Sequence, residues 1–188
     1  MRSALLPSLA ALCALALAAA AGRAASGETA AAREQARLCE KLAGAPGVTA
    51  CRQALQLGIA PPRRAAVREQ LARHLAALED WDALADHFRE SASLAPQDAF
   101  AWQRLGLTLL FGLHQPNEAT SALEQAVRLA PASADAHAGL AQALAASGRS
   151  ADAAAQFAEA LRLDPNVLDG RPAAQASYQA ARRGAPWP

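Results

Sequence analysis

Three prolines constrain this chain more than any other feature. Pro96, Pro131 and Pro165 stand 35 and 34 residues apart, and each closes a similar run: S-A-S-L-A-P, A-V-R-L-A-P and A-L-R-L-D-P. Backing up by the same offsets gives three matching sets: Leu84, Phe88, Ser91 and Leu94; Ala119, Leu123, Ala126 and Leu129; Ala153, Phe157, Ala160 and Leu163. Apolar or small residues four and three apart share one helix face. Each set therefore predicts the inner stripe of a helix, and the proline, which has no backbone donor, marks the stop beyond it. A second pattern precedes each stripe: Leu71-Ala72 with Leu75, Leu105-Gly106 with Leu109, and Leu140-Ala141 with Leu144. The small residue after the first leucine lets a partner helix come close, where a large one would hold it off. The repeating unit is thus a pair of helices.

The punctuation agrees. Asp80, Asp98 and Ser133 can each accept hydrogen bonds from the first unpaired N–H groups of a helix that follows. Gly148 suits a helix stop and Pro116 a first turn. The middle unit has one residue more than its neighbours between its two patterns, which places the insertion in G-L-H-Q-P-N at 112–117. Composition says what these helices pack with. Hydrophobic residues are 53% of the chain but aromatics only 4%, so the core is mostly Ala and Leu. Ala is the strongest helix former.

Residues 65–167 resemble three tetratricopeptide repeats. That family shows a Trp-x-x-Leu-Gly run in the first helix, then spaced small and aromatic residues, then proline, over about 34 residues. Trp102-Gln103-Arg104-Leu105-Gly106 matches the opening closely, His137-Ala138-Gly139-Leu140-Ala141 matches it loosely, and residues 68–72 more loosely still. The resemblance implies an all-α fold, a right-handed superhelical array of antiparallel helix hairpins, with repeats at 65–98, 99–133 and 134–167. His137 then reads as a packing residue in an aromatic's place, and Trp81 as a side chain wedged against its neighbour. Residues 27–64 read as a degenerate hairpin. Residues 168–188 read as a capping helix and tail, which a repeat stack needs to cover its last apolar face.

The N-terminus reads as an address. After Arg2, residues 4–21 are Ala and Leu apart from Pro7, Ser8 and Cys13, and small residues offer cleavage after Ala21, Ala24 or Ser26. This is the three-part pattern of a secretory signal peptide over 1–26. The rival is an uncleaved anchor helix, since the run approaches spanning length. Either places the rest outside the cytoplasm, periplasmic or secreted in the first case and membrane-anchored in the second. Cys39 and Cys51 then remain in a compartment that permits disulfides, flanking a turn expected at 43–48. A disulfide between them is the favoured reading, with two buried thiols as the alternative.

No reactive constellation stands out. The four histidines, His74, His87, His114 and His137, include no i, i+4 pair. The chain lacks H-E-x-x-H, C-x-x-C, a Gly-rich phosphate loop and G-x-S-x-G. The reading is a non-catalytic chain with no cofactor and no metal. A net charge of +1 gives no reason to expect nucleic acid or an anionic membrane surface.

Binding has the better case. By the resemblance, first helices line a concave groove, to which the middle repeat offers Phe100, Gln103, Leu107, Leu110 and Phe111. The first repeat offers Glu69 and Arg73, and the last Asp135, Ala138 and Gln142. Leu105 and Leu109 face inward on the same middle helix. Two apolar stripes on one helix imply burial all round, by a partner segment or by the chain's own N-terminal segment. The set differs from repeats that clamp acidic chaperone tails with Lys and Asn; here Arg73 and Arg104 stand near Glu69. The expectation is an exported scaffold holding a protein or peptide segment of an envelope assembly. The alternative is a structural spacer that docks through its convex face or its cap.

Overall fold

The computed structural model describes residues 28–184. The leader or anchor read at 1–26 and the tail at 185–188 lie outside the described residues. Those described form helices without strands: α1 (Ala30–Lys41), α2 (Gly44–Gln56), α3 (Pro61–Ala77), α4 (Trp81–Leu94), α5 (Ala99–Phe111), α6 (Pro116–Leu129), α7 (Ala134–Ala146), α8 (Ser150–Leu163) and α9 (Pro172–Arg182). The fold is an all-α helical repeat. The chain divides into two compact units, one ending at His74 and one beginning at Leu75. None of the described helices is long and apolar enough to cross a membrane.

In the first unit, Thr29 caps α1, its hydroxyl oxygen accepting from Ala32 N at 3.0 Å. Ala32, Ala36 and Cys39 are the buried stripe of α1, and Val48, Cys51 and Ala54 that of α2. Cys39 and Cys51 are joined by a disulfide, with Cα atoms 4.7 Å apart. The turn expected at 43–48 is shorter in the structure, because α2 already begins at Gly44. Pro46 is tolerated there since first-turn N–H groups have no helical partner to lose. Gly47 is required by close approach: a Cβ would stand 2.6 Å from the Leu42 carbonyl oxygen and 2.7 Å from His74 Nε2. His74 is buried, and its Nε2 lies 2.9 Å from the Cys39 carbonyl oxygen. The same Nε2 lies 3.2 Å from the Gln70 side-chain amide.

In the second unit the stripes fall where the proline period puts them. Leu84 and Phe88 are buried on α4, Ala119, Leu123 and Ala126 on α6, and Ala153, Phe157 and Ala160 on α8. These three helices end on Leu94, Leu129 and Leu163, and each has 14 residues. Leu94 departs from the stripe and is 61% exposed. At about 100° per residue it lies roughly 80° to one side of Leu84, while Ala92, which is buried, lies as far to the other. Ala95, Ala130 and Asp164 leave helical geometry with φ of −135°, −132° and −143°. Each precedes a proline, whose ring disfavours the α region for its neighbour. The stop therefore acts one residue before the proline itself.

The turns follow the same period, and three helices are capped as expected. Asp80 accepts from Ala83 N at 3.2 Å, Asp98 from Phe100 N at 3.0 Å, and Ser133 from Ala136 N at 3.2 Å. Two residues before each second helix the chain turns left-handed, at Glu79 (φ 55°), His114 (φ 54°) and Gly148 (φ 79°). The link at 112–115 has four residues against three at 78–80 and 147–149, so the insertion sits where expected. Trp102 Nε1 donates to the Pro96 carbonyl at 3.1 Å, and His137 Nε2 pairs with the Pro131 carbonyl at 3.0 Å, so the histidine does the tryptophan's work one repeat later. Trp81 is wedged against Gly112, where a Cβ would stand 2.8 Å from its ring.

The tightest packing surrounds Leu123, which is fully buried. A Cβ on Gly106 of α5 would stand 2.5 Å from its Cγ, and one on Gly139 of α7 3.0 Å from its Cδ2. At the far end α9 covers α8: Tyr178 meets Phe157 edge to face at 5.5 Å, over buried Ala174, Ser177 and Ala181.

Two outcomes follow from this packing. Replacing both Cys39 and Cys51 by Ser should cost the first unit roughly 3 kcal/mol, the chain-entropy value for a loop of this length. Amide exchange over residues 30–56 reads it, and unchanged protection would contradict it. Gly106→Ala should destabilise by about 1–3 kcal/mol through overpacking, although helix propensity alone would favour Ala by about 1 kcal/mol. Urea titration of Gly106→Ala, Leu123→Ala and the double variant should show the double costing less than the sum of the singles.

Candidate peptide groove

α5 presents two faces. Leu105 and Leu109 are buried toward the core, and Leu110 joins them. Phe100, Gln103, Arg104, Leu107 and Phe111, spaced three and four apart, share another face. With Asp135, Gly139 and Gln142 of α7, and with Arg171 to Ala174 where α9 begins, they line a groove of about 710 Å³. The neighbouring cap residue Ser133 completes the lining. Phe100 is 55% exposed and Phe111 46%. The second apolar stripe thus faces the groove and is not covered by the described helices.

The structure brings Phe100, Gln103, Leu107, Phe111 and Gln142 together at this groove. Leu110 does not line it, because it is one position round the helix from Phe111 and turns into the core. Ala138 is likewise buried, and Gly139 takes its place at the surface of the groove. Glu69 and Arg73 belong to α3 within the first unit, while every lining residue belongs to the second.

Two features escaped the sequence. One is Arg171, whose guanidinium meets Asp135 at 2.7 Å and links the start of α9 to the first turn of α7. The other is the first turn of α9 itself, Pro172 to Ala174, as a wall of the groove. A cap covering the last repeat was legible; which of its residues reach α5 and α7 depends on how the turn at 164–171 folds. There Val167 and Leu168 are buried and Gly170 adopts φ 69°.

Arg104 has an unusual setting. Its guanidinium carbon lies 5.3 Å from the Phe88 ring centroid and 5.5 Å from that of Phe100, in cation–π range of both. Gln142 is only 8% exposed. Outside the groove, on the surface of α8, the Arg162 hydrogen bond holds the Glu159 carboxyl below its ordinary range, and the same pairing raises Arg162.

Comparison with known proteins agrees with this architecture. A tetratricopeptide-repeat family model matches residues 107–167, about a third of the chain. No curated protein sequence matches. Among solved structures, MamA residues 41 to the end from Desulfovibrio magneticus RS-1 is similar over 84% of this chain and 93% of its own, at 19% identity and a TM-score of 0.64. YrrB, described as a TPR protein with an unusual peptide-binding site, is similar over 73% of this chain at 22% identity and a TM-score of 0.56. The match spans 66% of YrrB, just under two thirds of its length. The TPR2AB domain of yeast Sti1, solved as a complex with pHSP90, is similar over 80% of this chain and 69% of its own, at 16% identity and a TM-score of 0.53.

Proposed function

We propose that this chain, which belongs to the tetratricopeptide-repeat family, is an exported scaffold that holds a peptide segment of another protein in the groove of its second unit. The observation that carries the reading is the pair Phe100 and Phe111. The chain has four phenylalanines, and two of them stand about half exposed at one groove. Exposed apolar surface of this kind serves association more often than it is left bare. The groove volume falls within the range usual for ligand sites. YrrB, with its peptide-binding site, and Sti1, solved as a complex, support the same use of the fold. An envelope assembly is the proposed setting. The signal-like run at 1–26 and the Cys39–Cys51 disulfide support it, since such bonds persist where the medium is oxidising.

The groove is tested by probing an array of seven-residue peptides with the full chain and with a Phe100→Glu/Phe111→Glu variant. The parent should retain a subset, and the variant should lose it by about tenfold or more while keeping native helicity by circular dichroism. Equal retention by both would move binding elsewhere on the molecule. Export is tested by fractionating the native host and sequencing the N-terminus of the recovered protein. An envelope product beginning at Gly22, Ala25 or Gly27 is the expected result, an intact start in the membrane fraction is the anchored form, and recovery from the cytoplasm refutes export.

A further inference from the structure

The lining of the groove carries two polar groups whose setting names the chemistry of the segment. Gln142 is more than nine-tenths buried and lines the groove, yet its side-chain amide has no hydrogen-bond partner among the described residues. That amide is open to the groove and offers both a donor and an acceptor to whatever lies there. Arg104 is the second. Its guanidinium is sandwiched against Phe88 and Phe100, and among the described residues it has neither a hydrogen bond nor an ion pair. The other charges of the lining, Asp135 and Arg171, already neutralise each other at 2.7 Å. The groove therefore presents one uncompensated positive charge, flanked by Phe100 on one side and Leu107 on the other.

Resting on the reading of the groove as a peptide site, we infer that its occupant is an extended segment of a partner protein with one acidic side chain between apolar ones. The carboxylate meets the Arg104 guanidinium, a planar fork suited to bidentate pairing. The Gln142 amide bonds the N–H and C=O of the segment's backbone. Only an extended segment has these to give, because a helix spends its own internally. Apolar side chains on either side of the acid rest on Phe100 and on Leu107 and Phe111. From Phe100 to Phe111 is about 16 Å along α5 at 1.5 Å per residue, which an extended strand covers in roughly five residues. A strand of that length keeps alternate side chains on one face, so apolar and acidic positions reach the groove together.

The test uses peptides of this design, seven residues long, acetylated and amidated so that neither end carries charge. Peptides with one aspartate or glutamate between leucine, valine or phenylalanine should bind the full chain about tenfold more tightly than their asparagine or glutamine versions. Arg104→Gln should abolish that preference while neutral peptides bind as before, and Arg104→Lys should restore part of it. Gln142→Leu should weaken acidic and neutral peptides alike. Methylating backbone nitrogens one at a time should find a position that weakens binding to the parent but not to Gln142→Leu. Thermal melts confirm that each variant is folded. An array with no preference for acid, a preference that survives Arg104→Gln, or a gain of helix on binding overturns the inference and leaves the groove reading standing. If the parent retains no peptide at all, both fall together.

Discussion

The arrangement of the second unit depends on one leucine. Leu123 is buried between two helices that come close only because each meets it with a glycine, Gly106 on α5 and Gly139 on α7. With a Cβ at both positions, α5 and α7 would stand off from α6, and the spacing of consecutive hairpins would change. The same contact reaches the groove. A Cβ on Gly139 would stand 3.4 Å from Leu107 Cδ2 as well as 3.0 Å from Leu123 Cδ2. Gly139 is also part of the groove lining. Core packing and the lining of the groove thus meet at one residue, and a side chain added there would disturb both.

The helix ends show how one backbone task is met by different residues. In each repeat a proline removes its predecessor from the helix, and after Pro96 and Pro131 the chain turns and is capped by Asp98 and Ser133. In two repeats a ring nitrogen six residues beyond that proline reaches back to its carbonyl, from Trp102 to Pro96 and from His137 to Pro131. What the position needs is a planar ring with a donor, and both residues supply one. The left-handed turn before each second helix is filled by Glu, His and Gly in turn. Only glycine adopts that region freely, so the glutamate and the histidine hold it at some cost, with the helices on either side fixing the geometry.

What the sequence disclosed follows from this economy. Stripes, stops, caps and the four-residue link were legible, because each is local and reads directly from the offset to a proline. The groove face of α5 was legible for the same reason. It differs from the core face by its place on the helix, and Phe100, Gln103, Leu107 and Phe111 are too regularly spaced to be scattered exposure. The misplacements lie one step beyond local pattern. Leu110 and Ala138 each sit one residue round from the true groove position, an error of about 100° that only the packing of neighbouring helices resolves. The contribution of Arg171 depends on the path of 164–171, where a turn and not a period governs the chain. Leu94 kept its place in the repeat yet lost its burial, since α4 buries Ala92 instead.

The groove is also preorganised. Binding sites that must order long side chains lose affinity to the entropy of doing so. Arg has one of the most flexible side chains, but here stacking against Phe88 and Phe100 confines the guanidinium before any partner arrives. The same stacking covers part of the Phe100 ring, so the groove presents less bare apolar surface than its residue types suggest. The Arg171–Asp135 pair is exposed and contributes little to stability, yet it spans from α7 to the start of α9 and defines one side of the groove. Aromatic faces, a confined cation and the Gln142 amide all sit on helices whose spacing depends on the glycines around Leu123. A site on such rigid elements would gain selectivity from position, and the Arg104 guanidinium is placed by aromatic contacts already made within the second unit.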